Sequence, residues 1–223
     1  MRVAALVVAV VAVASGSACK GAPRSLAAKT LADSARADSI ARARQDSINR
    51  TLPGYVIDSA LTVEEELRRF RANLPGDSAT RFAGGSDSRE ALVKRFVRAV
   101  ATSDTNDLRA MAVHAREFAD LYYPESPYTR PPYRESPELA WRLIQNPSTN
   151  GLTRLLKRLG GTRLTYVSHA CDPAIAHEGH TTRYAGCLVR TVDAKGDTTT
   201  RRLFGSIVAR GGQYKFLSYT NQY

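Results

Sequence analysis

The alternation of apolar and polar positions changes period once along the main body of the chain, and that change divides it. Between residues 51 and 160 the period is helical. In "TVEEELRRFRANL", Thr62 sits where an N-cap belongs and Glu65 follows three residues later, a capping box. Val63, Leu67, Phe70 and Leu74 share one face, so the spacing predicts an amphipathic helix over 62–73. "PGDSATRFAGGSDS" then interrupts the pattern. Ser88 caps a second helix, "SREALVKRFVRAVATSD", with Leu92, Phe96, Ala99 and Val100 on one side. "NDLRAMAV" and "AREFADLYY" read as short helices, whereas five prolines between residues 124 and 137 deny regular structure to "PESPYTRPPYRESP". "PELAWRLIQ" and "NGLTRLLKRLG" read as two further helices, the second burying Leu152, Leu155, Leu156 and Leu159 and stopping at Gly160 or Gly161. From Thr162 the period becomes two, which predicts strands over 162–171, 183–193, 198–209 and 213–221 with tight turns at "AKGD" and "RGGQ". Helices followed by an antiparallel meander make an α+β fold, with helices packed on a sheet of at least four strands.

The first fifty residues follow neither rhythm. "MR", the apolar run Val3 to Ala14 and the small residues "SGSA" have the layout of a secretory signal peptide, too short to span a bilayer comfortably. Cys19 follows directly, and "SGSAC" resembles a bacterial lipobox, with Gly16 standing where Leu is usual. That resemblance implies lipidation of Cys19, a membrane as partner and an address in the cell envelope, on the outer membrane or the periplasmic face. Residues 20–50 are rich in Ala, Arg, Asp and Ser, and their few large apolar groups form no stripe. The expected organisation is therefore a signal peptide over 1–18, a tether over 19–50, a helical bridge over 51–87 and an α+β domain over 88–223. The net charge of +11, from 32 Lys+Arg against 21 Asp+Glu, comes from scattered residues rather than basic runs. An exported chain of that kind is not expected to bind nucleic acid.

Export changes the meaning of the cysteines. With Cys19 lipidated, Cys171 and Cys187 remain as a pair, and an oxidising compartment favours a disulfide between them. Pairing them fixes a hairpin register in which Tyr166 faces Val192 and Ala170 faces Leu188 on one side, and His169 faces Val189 on the other. His177 and His180 of "HEGH" fall in the intervening loop; zinc there would need both cysteines as thiolates, so no metal is expected. In the last hairpin, a turn at Gly211–Gly212 pairs Ile207 with Phe216 and Ala209 with Tyr214. The back of that sheet would carry Phe204, Val208, Leu217 and Tyr219, a patch needing cover from the 62–73 helix or from a second copy, a homodimer through the sheet.

The order of elements over 88–223, with "SREALVKRFVRAVATSDTNDLRAM" opening the domain and "FGSIVARGGQYKFLSY" closing it, resembles the NTF2-like superfamily of α+β cones. That resemblance implies a sheet curled around a helix with a pocket, often apolar, between them. It leaves function open, because such folds serve isomerases, dehydratases, cyclases and non-catalytic binding modules. Candidate acid–base groups are His114, Glu117, Asp120, Tyr122 and Tyr123, with His114 and Glu117 on one helical face. They match no paired catalytic motif, and no catalytic residue is assigned. Tyr122, Tyr123, Tyr128, Arg130, Tyr133 and Trp141 are the candidates for a ligand-binding lip. The expected role is a non-catalytic small-ligand-binding or structural module without a cofactor, taking a small apolar ligand if any. The alternative is an exported enzyme of isomerase, dehydratase or hydrolase type.

Overall fold

The computed structural model describes residues 24–49, 51 and 61–222. Cys19 and the apolar run before it lie outside the described residues. The chain divides between Ala60 and Leu61 into two units. In the first, α1 (Arg24–Asn49) is a single helix, solvent-exposed wherever its side chains are described except at Asn49, as its lack of an apolar stripe requires.

The second unit begins with α2 (Val63–Ala72). Thr62 caps it by accepting from the Glu65 amide, and three glutamates occupy its first turn, where the helix dipole favours negative charge. α3 (Arg89–Ala101), capped by Ser88, is the central helix: Leu92, Val93, Phe96, Val97 and Val100 are all buried. After α4 (Thr105–Met111), the segment expected as one short helix has three parts. A single turn, α5 (Ala115–Glu117), widens into a π-turn over Phe118–Tyr122 and then tightens into 3-10 turns over Tyr123–Glu125 and Pro127–Thr129.

Two helices were expected around Pro147, but α6 (Pro137–Leu159) runs through it. Its buried positions, Pro137, Ala140, Ile144, Ser148, Gly151 and Leu155, form one continuous stripe, while Pro147 lies on the exposed side. The apolar stripe thus outweighs the one backbone hydrogen bond that proline removes. The stripe is pinned to the C-terminal segment: Ser148 Oγ accepts from the Tyr219 amide, and Asn221 Nδ2 donates to the Gly151 carbonyl. A Cβ at Gly151 would run into the Tyr219 carbonyl, so this contact requires glycine.

The strands form two antiparallel sheets rather than one curved sheet. β1 (Leu164–Ala170), β4 (Leu188–Asp193) and β5 (Thr198–Arg201) make the first, in the order β1-β4-β5. β2 (Ala176–Glu178), β3 (Thr181–Tyr184), β6 (Ile207–Arg210) and β7 (Gln213–Phe216) make the second, in the order β2-β3-β6-β7. The expected strand 183–193 breaks after Tyr184 at Gly186, whose φ of 62° and closeness to the Asp172 carboxyl exclude a side chain. The expected strand 198–209 breaks between Arg201 and Ile207. Each expected strand therefore crosses from one sheet to the other, and the loop expected before residue 183 contains the β2–β3 hairpin.

Cys171 and Cys187 are disulfide-bonded. Beside them the expected register holds, with Ala170 opposite Leu188 and His169 opposite Val189. A bulge at Val167 then slips the pairing by one, so that Tyr166 faces Thr191 rather than Val192, and Leu164 faces Asp193. The bulge also reassigns the faces. Val189 and Thr191 point inward, and Val167 and Leu188 are 45% and 43% exposed.

The last hairpin keeps its expected register, Ile207 opposite Phe216 and Ala209 opposite Tyr214. Ile207 and Phe216 join the inner core with Leu92, Phe96 and Leu155. Phe204 and Tyr219, expected on the back of the sheet, also belong to that inner core. They lie outside the strands, one before β6 and one after β7, where alternation no longer fixes a face. Val208 and Leu217 do face the back, where they share a second core with Leu67, Phe82, Phe118 and Tyr122, and Val63, Phe70 and Leu74 pack against it. Helix α2 thus helps cover the sheet from within the same chain.

Candidate functional site

Behind the second sheet, α5 with its cap, the π-turn and the 3-10 turn after it carry the side chains that sequence marked as a chemical cluster. Glu117 is buried, and both its carboxylate oxygens accept from Lys215 Nζ, at 3.0 and 2.7 Å. Oε1 also accepts from the Ala83 amide and Oε2 from the His114 amide. Lys215, fully buried, completes its bonding by donating to the Ala83 carbonyl. Burial lowers the Lys215 pKa, and the hydrogen bond and charge of Glu117 work in the other direction. His114 therefore meets Glu117 through its backbone; its own ring is shifted down by burial and by the Lys215 charge. Asp120 is occupied in the same way, paired with Arg71 at 2.7 Å and accepting from the Ala79 amide. These carboxylates are fixed by their partners and hold α2 and the following segment onto the sheet.

The lip residues separate. Tyr123 turns inward: its hydroxyl donates to the Glu135 carbonyl, and burial pushes its pKa up to about 12. Trp141 packs against Phe118, ring centres 5.0 Å apart, and borders a groove of about 500 Å³ together with His114, Gln145 and Leu152. Arg130 is exposed and lines neither depression. Tyr122, Tyr128 and Tyr133 do come together, along one side of a cleft of about 510 Å³. Leu143, Ile144 and Leu217 add apolar surface, and Ser206, Ser218 and Thr220 line it further.

Two residues in that cleft had no sequence signal. Glu178 ends β2 and Arg183 lies on β3, diagonal neighbours on one face of the hairpin. Arg183 Nε donates to Glu178 Oε1 at 2.9 Å. Burial opposes the Arg183 charge, but the hydrogen bond and charge of Glu178 outweigh it and raise the pKa. Glu178 is only 5% exposed, and its carboxylate also has a side-chain hydrogen-bonding interaction with Tyr122. Burial, reinforced by the Glu178 charge, raises the Tyr122 pKa well above its ordinary value, so Tyr122 remains a phenol. "HEGH" had drawn attention to its histidines, whereas the glutamate between them reaches the cleft.

The hairpin is held against the tyrosine segment by Glu125. Its Oε2 accepts from Arg210 and from the His180 amide, and its Oε1 pairs with His180 Nδ1 at 2.7 Å. Arg210 also donates to the Leu121 carbonyl and to Thr181 Oγ1. The His177 ring turns to Thr182 instead. The two histidines of "HEGH" are thus engaged separately, and Cys171 and Cys187 are joined to each other.

The chain matches no protein-family model, no curated protein and no solved structure.

Proposed function

We propose that this chain is an exported, lipid-anchored protein of the cell envelope whose domain is a non-catalytic small-ligand-binding module of NTF2-like type. The carrying observation is how space is used on the two sides of the second sheet. On the inner side, where an NTF2-like enzyme would keep its pocket, Phe96, Phe204, Phe216 and Tyr219 fill the space with mutual ring contacts of 4.5 to 5.8 Å. Tyr219, the polar member, spends its hydroxyl on the Leu108 carbonyl. A packed aromatic core of this kind contributes stability, and its rings occupy the space between the central helix and the sheet. Among the surface depressions, the tyrosine-lined cleft combines apolar surface with a few converging polar groups, as small-molecule sites do. The anchor rests on "SGSAC" following a signal-like run.

Native mass spectrometry of the protein purified from its own membranes tests the binding reading. A retained small molecule, lost on substitution of Tyr128 by Ala, is the expected result; a protein with no retained mass and no affinity for any small molecule would overturn it. The anchor is tested by fractionation. Lipid chains contribute about 0.8 kcal/mol per buried methylene, so Cys19→Ser should move the protein from the membrane to the soluble fraction.

A further inference from the structure

We infer that the corner where the first sheet meets the end of α6 is a docking surface for an anionic, phosphate-bearing membrane. The choice of a membrane rests on the envelope reading above, and the test below lets the anchor and the docking surface fail separately. The sequence scatters its basic residues, and the fold gathers a group of them. Arg158 of α6, Arg201 at the end of β5 and Arg202 after it line a depression of about 400 Å³ with Leu188, Thr200 and Gln222. Arg154 is exposed one turn before Arg158 on α6. Arg190 is exposed on β4, directly opposite Thr200. Acidic side chains are scarce in the segments that meet here: no Asp or Glu occurs between Glu138 and Asp172, over 187–192 or after Asp197. One does approach, since Asp172 lies against Gly186, which shares a smaller depression with Arg202. Arg158 and Arg201 also have interactions within the protein. What matters is the surplus of cations over anions across the whole group, rather than an unused valence on any one arginine.

The same face selects a membrane among polyanions. Guanidinium groups match phosphate oxygens in charge and geometry. Beside them stand exposed apolar side chains: Leu188, two residues from Arg190 on the same side of β4, and Val167 at the bulge of β1. A lipid headgroup layer offers phosphate with an apolar depth beneath it, so one face gains from both charge and burial. Nucleic acid would match the phosphate but not the exported address proposed above.

Vesicle co-sedimentation of the full chain carrying Cys19→Ser, which removes any acyl contribution, tests this. The probes are vesicles of phosphatidylglycerol with phosphatidylethanolamine, vesicles of phosphatidylcholine, and polyglutamate. The protein should favour the anionic vesicles by about twentyfold or more, and the preference should fall as salt rises. Arg154→Glu together with Arg190→Glu should remove most of that preference without moving the unfolding midpoint, because both side chains are exposed. Arg190→Gln alone should reduce it about fivefold, which keeps the test decisive if the double variant folds poorly. Arg81→Glu with Arg130→Glu, also exposed and equal in charge change, should keep it. Equal loss in both double variants would overturn the assignment to this face. Equal binding to the two kinds of vesicle would overturn the docking surface itself. Tighter binding to polyglutamate, lost with Arg154→Glu and Arg190→Glu, would overturn lipid as the occupant in favour of an acidic protein segment. The anchor is read separately, by fractionation at high salt, where a basic face lets go and an acyl chain does not.

Discussion

The most constrained polar atoms in the domain belong to Lys215 and Glu117. Lys215 lies opposite Val208 on the back of the second sheet, where alternation calls for an apolar residue. It is tolerated because all three of its N–H groups have acceptors. Lys215→Ala would strand the Glu117 carboxylate and should cost about 3–5 kcal/mol in urea unfolding, whereas replacing both residues by apolar ones of similar volume should cost much less. Glu125 gives a different signature. Partial burial alone would raise its pKa, but hydrogen bonds from Arg210 and His180 hold it down at about 2. Its contribution is therefore complete above its ordinary value of 4.5 and is lost as pH falls through about 2. The urea midpoints of the wild type and Glu125→Gln should differ near neutrality and converge towards that acid limit. The pairing could not be read from sequence, because Glu117 and Lys215 are far apart in the chain; Glu117 was marked only as a possible acid–base partner of His114, and Lys215 carried no signal.

Among the elements, what sequence revealed was what is locally determined. Thr62 and Ser88 announce their helices because an N-cap acts within one turn. Gly211 and Gly212, both at positive φ, announce the last hairpin and fix its register. The sheet crossings gave no such signal. Gly186 and Gly205 interrupt the two stretches, but an isolated glycine in a strand pattern does not distinguish a local bulge from a change of partner. The bulge at Val167 was hidden for the same reason, since only the paired strand reveals the extra residue. Continuity of α6 past Pro147 depended on Tyr219 and Asn221, which dock onto it from the other end of the domain. Gly151→Ala, which improves local helix propensity, should therefore destabilise, by about 1–3 kcal/mol, because its Cβ meets the Tyr219 backbone. Comparing thermal melts of this variant with an exposed control such as Asn150→Ala would separate docking from propensity. Replacing Cys171 and Cys187 together by Ser should cost roughly 3 kcal/mol in the same assay.

At the scale of the whole molecule, the compact unit begins at Leu61 and includes α2. That helix, with Phe82 and the π-turn, gives the second sheet a covered back. A chain shortened to begin at Ser88 should uncover Val208, Leu217 and Phe118 and self-associate in sedimentation, whereas one beginning at Thr51 should not. Equal solubility and stability of the two would show that α2 is dispensable.

The disulfide encloses the whole β2–β3 hairpin, so Glu178 and Arg183 both sit inside the ring that Cys171 and Cys187 close. One wall of the cleft is thus finished by a different chemical event from the rest of the domain. Newly made chain in a reducing cytosol would hold that wall only by its clasp to Glu125 and its pairing with β6. On the binding reading proposed above, closing the disulfide completes that wall. On the same reading, protein recovered from a reducing cytosol should bind more weakly than oxidised protein, and titrating its free thiols alongside the binding measurement checks this.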